Sequence, residues 1–189
     1  MKKILISVIF LNGCTHMMAS DNEVRRPALA GEVTMYPDPV KTPGVVRAET
    51  TEANVCTPGF TKEIRDVPES VKNKVFISYM GKAPESPGEN YEVDHFISLE
   101  LGGSNDIKNL WPQPYAPVPG ARQKDVVETY LKDQVCEHKV QTLSLKDAQK
   151  IITTDWYACY LNIQSKKPCD VPQTESSFEV EPVASEPNH

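Results

Sequence analysis

The sequence predicts an α+β protein: one small domain in which a short pair of strands is surrounded by helices, with extended tails at both ends. Three observations predict it. A run rich in β-branched and aromatic residues (91–97) is followed by the turn cluster Gly102-Gly103-Ser104-Asn105-Asp106, and Leu110-Trp111 then restarts an apolar run. Helical periodicity flanks that unit, in residues 71–80, 121–136 and 144–162. Prolines number 16 in 189 residues, and many fall outside residues 56–169, which indicates extended flanks rather than a second packed unit.

The elements follow in order. Met1-Lys2-Lys3 and a short apolar run (4–11) read as a secretory signal, too short to span a membrane. Leu11-Asn12-Gly13-Cys14 resembles a lipobox, which makes residues 1–13 a lipoprotein signal peptide and Cys14 the lipidated first residue. A plain secreted protein is the alternative. Residues 14–55 contain Pro27, Pro37, Pro39 and Pro43 and no sustained period, so they are expected to be a flexible tether with a short extended piece at 44–47. The folded domain is expected over 56–169. Val71, Val75, Phe76, Tyr79 and Met80 share one helical stripe, which Gly81 closes. Residues 83–90 read as a loop, 91–97 as a strand, and 110–111 as a short second strand stopped by Pro112 and Pro114. A proline-rich loop leads to a helix over 121–136. Val127, Tyr130, Leu131 and Val135 lie on one side of it, and Arg122, Lys124, Asp125, Glu128 and Lys132 elsewhere. Ser144 caps a last helix to about Asn162, with Ile151, Ile152, Trp156 and Cys159 as its buried stripe. Residues 170–189 read as a disordered acidic tail.

Asp94 and His95 carry the chemistry. Adjacent residues on a strand point to opposite faces, so one can hold a cation while the other activates a water. A carboxylate suits a hard divalent ion, and a neutral imidazole is the usual general base near neutral pH.

Val93-Asp94-His95-Phe96-Ile97, the Gly102-Gly103-Ser104-Asn105-Asp106 turn and Asn109-Leu110 together resemble the HNH endonucleases, also called His-Me finger or ββα-metal nucleases. Further segments, from Cys56-Thr57-Pro58-Gly59 to Asp155-Trp156, resemble the recurring blocks of a bacterial subgroup, in the order expected. The resemblance covers roughly residues 56–160. It implies a small ββα-metal HNH core, with Asp94 as metal ligand, His95 as general base, and Asn109 tethering the loop and keeping the His ring oriented. It also implies an acidic or similar ligand on the following helix, for which Asp125 and Glu128 are the candidates. Ordinary surface charge, with Glu128 pairing to Lys124 or Lys132 one turn away, is the alternative for these two. The expected ion is Mg²⁺, with Mn²⁺ as a substitute. The paired cysteines that hold structural zinc in many HNH proteins have no counterpart here, so no zinc is expected.

The formal charge of −6 sits mainly in the flanks. Residues 56–169 hold 14 Lys and Arg against 15 Asp and Glu. A near-neutral domain can still carry a local basic stripe, for which Lys108, Arg122, Lys124 and Lys132 are the candidates. With Cys14 set aside, Cys56, Cys136, Cys159 and Cys169 remain, and an even number suits disulfides in an oxidising compartment. Four cysteines permit three pairings, of which Cys56–Cys136 and Cys159–Cys169 are favoured. The expected function is a metal-dependent endonuclease of low sequence specificity, acting on DNA or also RNA. It would be held in the cell envelope, periplasmic or at the outer membrane, by lipid on Cys14. The alternative is a non-catalytic envelope lipoprotein that uses the same scaffold to bind a protein partner.

Overall fold

The computed structural model describes residues 34–137 and 142–173. The expected signal peptide and Cys14 lie outside the described residues, as does most of the expected C-terminal tail. The helices are α1 (Glu52–Val55), α2 (Phe60–Ile64), α3 (Glu69–Met80), α4 (Pro87–Asn90), α5 (Ala121–Cys136) and α6 (Leu145–Gln164). Strands β1 (Tyr91–His95) and β2 (Leu110–Pro114) form a two-stranded antiparallel sheet between α4 and α5, so the fold is α+β. No helix among the described residues is long and apolar enough to cross a membrane.

The sheet register pairs Tyr91 with Pro114, Val93 with Pro112 and His95 with Leu110. Pro112 and Pro114 therefore sit inside β2 rather than ending it. A proline is tolerated in a strand where its missing N–H would face away from the partner. Tyr115 N donates to Asn90 O at 3.0 Å and Phe96 N to Asn109 O at 2.8 Å, which continue the ladder through the residues of the other parity. The backbone nitrogens of Pro112 and Pro114 thus point away from β1, and both residues are buried. The first strand ends at His95, not Ile97, because the Ile97 amide turns to the side chain of Asn109.

Two apolar cores hold the elements. One joins α5 and α6 through Val127, Leu131, Ile151, Ile152 and Trp156, with Val55 added from α1 and Ile97 and Leu101 from the connection between β1 and β2. The other packs Val75 and Tyr79 of α3 against Phe96, Leu110 and Trp111. Both stripes fall on the periodic positions of the sequence. Gly81 caps α3 with φ of 76°, a left-handed conformation that glycine adopts without strain. Ser144 accepts from the Asp147 amide at the start of α6. Asp155 interrupts that helix with φ −154° and ψ 83°, a kink that the periodicity did not indicate.

The expected tether is corrected for residues 34–55, which pack onto the domain. Tyr36 is buried, and its hydroxyl donates to the Asp155 carboxylate at the α6 kink. Thr42 is fully buried; its hydroxyl donates to Leu110 O at 2.9 Å and lies 2.7 Å from the Tyr79 hydroxyl. Val46 bridges to Gly103. A segment without periodicity can still be ordered when single side chains fill sites on other elements. The first residues of the expected tail are also attached: Asp170 accepts from the Asn162 amide group, and Val171 packs on the larger core.

Disulfides join Cys56 to Cys136 and Cys159 to Cys169, with Cα separations of 5.4 and 4.7 Å. The first ties α1 to the end of α5, and the second clamps the C-terminal segment to α6.

Candidate active site

The loop between β1 and β2 is built around one amide. Asn109 is fully buried, and its Oδ1 accepts from the amides of Ile97 (3.0 Å) and Val45 (3.3 Å). Its Nδ2 donates to the carbonyls of Ile97 (2.9 Å) and Ser104 (2.8 Å). Four hydrogen bonds to one side chain thus fix the loop and the N-terminal strap, residues 34–55, which crosses it at Val45. Gly103 is required beside it, because a Cβ there would lie 1.7 Å from the Ile97 carbonyl oxygen and 2.9 Å from Asn109 Nδ2. Asn109 tethers the loop but makes no hydrogen bond to the His95 ring.

Asn105 makes that bond. Its Oδ1 lies 2.9 Å from His95 Nε2, while its Nδ2 donates to the Ile64 carbonyl at 2.7 Å. An amide oxygen can only accept, so this arrangement places the imidazole proton on Nε2 and leaves the Nδ1 lone pair free. Burial lowers the His95 pKa below the ordinary 6.5, against the raising effects of Asn105 and Asp94, with Arg65 lowering it further. The ring is therefore neutral over a wider acid range than a free histidine. The turn cluster containing Asn105 was visible in the sequence, but nothing marked Asn105 above its neighbours.

His95 is 3% exposed, yet it lines a cleft of about 220 Å³ together with Arg65, Asp94, Glu100, Asp125 and Glu128. Given about 30 Å³ per molecule in the liquid, the space beside the ring holds several waters. Asp94, His95, Asp125 and Glu128, singled out from sequence, thus meet at one cleft. Glu100, which sequence reasoning missed, joins them from the 3₁₀ turn Leu99–Leu101. Its Oε2 is buried without a hydrogen-bond partner. A buried carboxylate oxygen in that state is costly unless a proton or cation meets it.

Lys124 is the main correction. Expected to touch phosphate, it is instead fully buried, with Nζ 2.7 Å from Asp94 Oδ2, 2.8 Å from the His95 carbonyl, and in contact with Glu128 Oε1. Helix α5 turns this residue inward, one position from Asp125, which stays exposed. Burial alone would pull its ammonium pKa down, but the Asp94 and Glu128 carboxylates outweigh that and raise it, so Lys124 stays charged. Glu128 forms the one-turn ion pair weighed from its spacing. Burial pushes its carboxyl up to about 8, opposed by Lys124 and reinforced by Asp94. Burial and then Asp94 also raise Glu92 and Asp125.

Lys108 and Arg122 are exposed and Lys132 is half-buried, but none of the three lines the cleft. Among the described residues, no group of three His, Cys, Asp or Glu side chains converges on one point. The donor chemistry nonetheless suits a hard cation: Asp94 Oδ1, Asp125 and the orphaned Glu100 Oε2 are oxygens that the Lys124 ammonium leaves unused. No family model, curated protein or solved structure matches the chain.

Proposed function

We propose that the chain is a metal-assisted phosphodiesterase of HNH type, which hydrolyses DNA with low sequence specificity and accepts RNA by the same chemistry. The observation that carries this reading is the neutral, ring-locked His95 with its free Nδ1 beside a cleft rich in carboxylates. His95 Nδ1 takes a proton from a water whose oxygen attacks phosphorus, the P–O bond to the leaving sugar oxygen breaks, and that oxygen takes a proton from solvent water to leave as a hydroxyl. Asn105 keeps the ring in the Nε2–H tautomer, and Asn109 holds the loop that presents it. Asp94, Asp125 and Glu100 would hold a divalent cation such as Mg²⁺ or Mn²⁺. When bound, that ion stabilises charge on the phosphate and the leaving oxygen. Lys124 fixes Asp94 and the His95 carbonyl from behind. Contacts on such a surface are to the sugar–phosphate chain, which favours weak sequence preference. The two disulfides support export to an oxidising compartment, in keeping with a lipid-anchored envelope protein.

The test is nicking of a supercoiled plasmid by the purified chain, with Mg²⁺ and with EDTA, beside His95→Ala. Nicking that requires both His95 and the metal is expected. Equal nicking by wild type and variant removes the proposal. One observation favours a second reading: the Lys124 ammonium already bridges Asp94 and Glu128, as in a purely structural ion triad. In that case the scaffold binds a protein partner without catalysis. Millimolar Mn²⁺ then leaves the melting temperature unchanged, whereas a formed site raises it.

A further inference from the structure

We infer that Arg65 is the phosphate-binding residue of the cleft: its guanidinium takes a non-bridging oxygen of the phosphodiester while His95 activates the water. This rests on the hydrolytic reading above and names the group that meets the substrate. Arg65 lines the cleft with His95, and its charge reaches the imidazole. Its position relative to the base is fixed by the chain, because the carbonyl of the preceding residue, Ile64, anchors Asn105, and Asn105 anchors His95. One short segment at the end of α2 therefore orients the base and delivers a cation next to it.

Charge favours a cation at this place. Asp94, Glu100, Asp125 and Glu128 all line the cleft, and an anionic phosphodiester entering it meets their field. Lys124 cannot greet the substrate, since its ammonium is buried and committed to two carboxylates and a carbonyl. Arg65 is exposed and its guanidinium forms no ion pair or hydrogen bond among the described residues. A free guanidinium offers paired N–H donors that match phosphate oxygens.

The experiment uses the full chain with Arg65→Ala, Arg65→Lys and, as a control for charge on the adjoining helix α2, the exposed Lys62→Ala. Cleavage of a labelled single-stranded oligonucleotide with Mg²⁺ gives kcat and KM. Binding of the same oligonucleotide is measured against salt in the His95→Ala background. Arg65→Ala is expected to lower kcat on the order of 100-fold, the scale for losing one donor to a charge-bearing oxygen. Arg65→Lys should recover part of the loss, and Lys62→Ala should change kcat by less than about twofold. The slope of log binding constant against log salt should fall by about 0.7, one phosphate contact on a single strand. A merely structural Arg65 would alter melting but not that slope. Unchanged kcat and slope in Arg65→Ala, with wild type active, overturn the assignment and leave the hydrolytic reading standing. Absent cleavage with a reduced slope in Arg65→Ala overturns hydrolysis and keeps the phosphate contact. Absence of both cleavage and binding overturns the two together.

Discussion

Replacing Lys124 by methionine should destabilise the fold more than almost any other single change near the cleft. The substitution keeps an unbranched stem of similar length and removes the charge. Lys124 is fully buried, and its ammonium is the counter-ion of Asp94 and Glu128. Leaving such carboxylates uncompensated costs about 3–5 kcal/mol. For a domain of this size that corresponds to a fall in Tm of roughly 10–20 °C. The pH dependence gives a sharper test. The Lys124 pKa is raised above the ordinary 10.5, so its stabilisation is fully present at neutral pH and is lost only as pH rises through the folded-state value. Glu128 has the opposite character: its folded pKa, about 8, lies above the ordinary 4.5, so its ionisation weakens the fold as pH rises between those values. In Lys124→Met, repulsion between Asp94 and Glu128 is added, and protonation relieves it. Urea unfolding of wild type and variant at pH 5 and pH 8 should therefore show a larger deficit at pH 8. Adding Glu128→Gln to Lys124→Met should recover part of the deficit. A loss below about 1 kcal/mol, or a deficit equal at both pH values, refutes the account of Lys124 as a resident counter-ion.

Asn109→Ala should lose about 2–4 kcal/mol by chemical denaturation, because four hydrogen bonds disappear and buried loop amides lose their partners. Gly103→Ala should lower stability and cleavage together, since the new Cβ collides with the Ile97 carbonyl and displaces the Asn109 anchor. Removing the Cys56–Cys136 bridge, which spans 80 residues, should cost about 4–5 kcal/mol, against about 2–3 for Cys159–Cys169, which spans 10; paired Cys→Ser variants in thermal unfolding check the order.

Much of the fold was legible in the sequence because its helices bury periodic stripes. Val75, Leu131, Ile152 and Trp156 fall where the spacing of apolar residues puts them, and α3 ends at Gly81 for the reason glycine usually ends a helix. The N-terminal strap was not legible: Tyr36 and Thr42 are single side chains that fit distant sites, and a lone residue leaves no period. The kink at Asp155 was hidden because the stripe continues across it. In the site, the chemistry of an adjacent carboxylate and imidazole singled out Asp94 and His95, and Asp125 and Glu128 were named only through the family resemblance. Lys124 lies three residues before Val127 and seven before Leu131, on the face that α5 buries, and its charge type alone argued for solvent. Asn105 and Glu100 depended on the shape of the loop, which only the folded chain defines.

The most direct test of the central claim is the pH–rate profile for oligonucleotide cleavage with Mg²⁺, measured from pH 4.5 to 9. A neutral, buried His95 acting as base predicts an acid limb with its midpoint below the ordinary 6.5, moved upward by Asn105→Asp, which sets a carboxylate against the ring. It predicts that His95→Ala abolishes the limb with a loss in kcat on the order of 100-fold or more. A profile and rate unchanged by either substitution would contradict it.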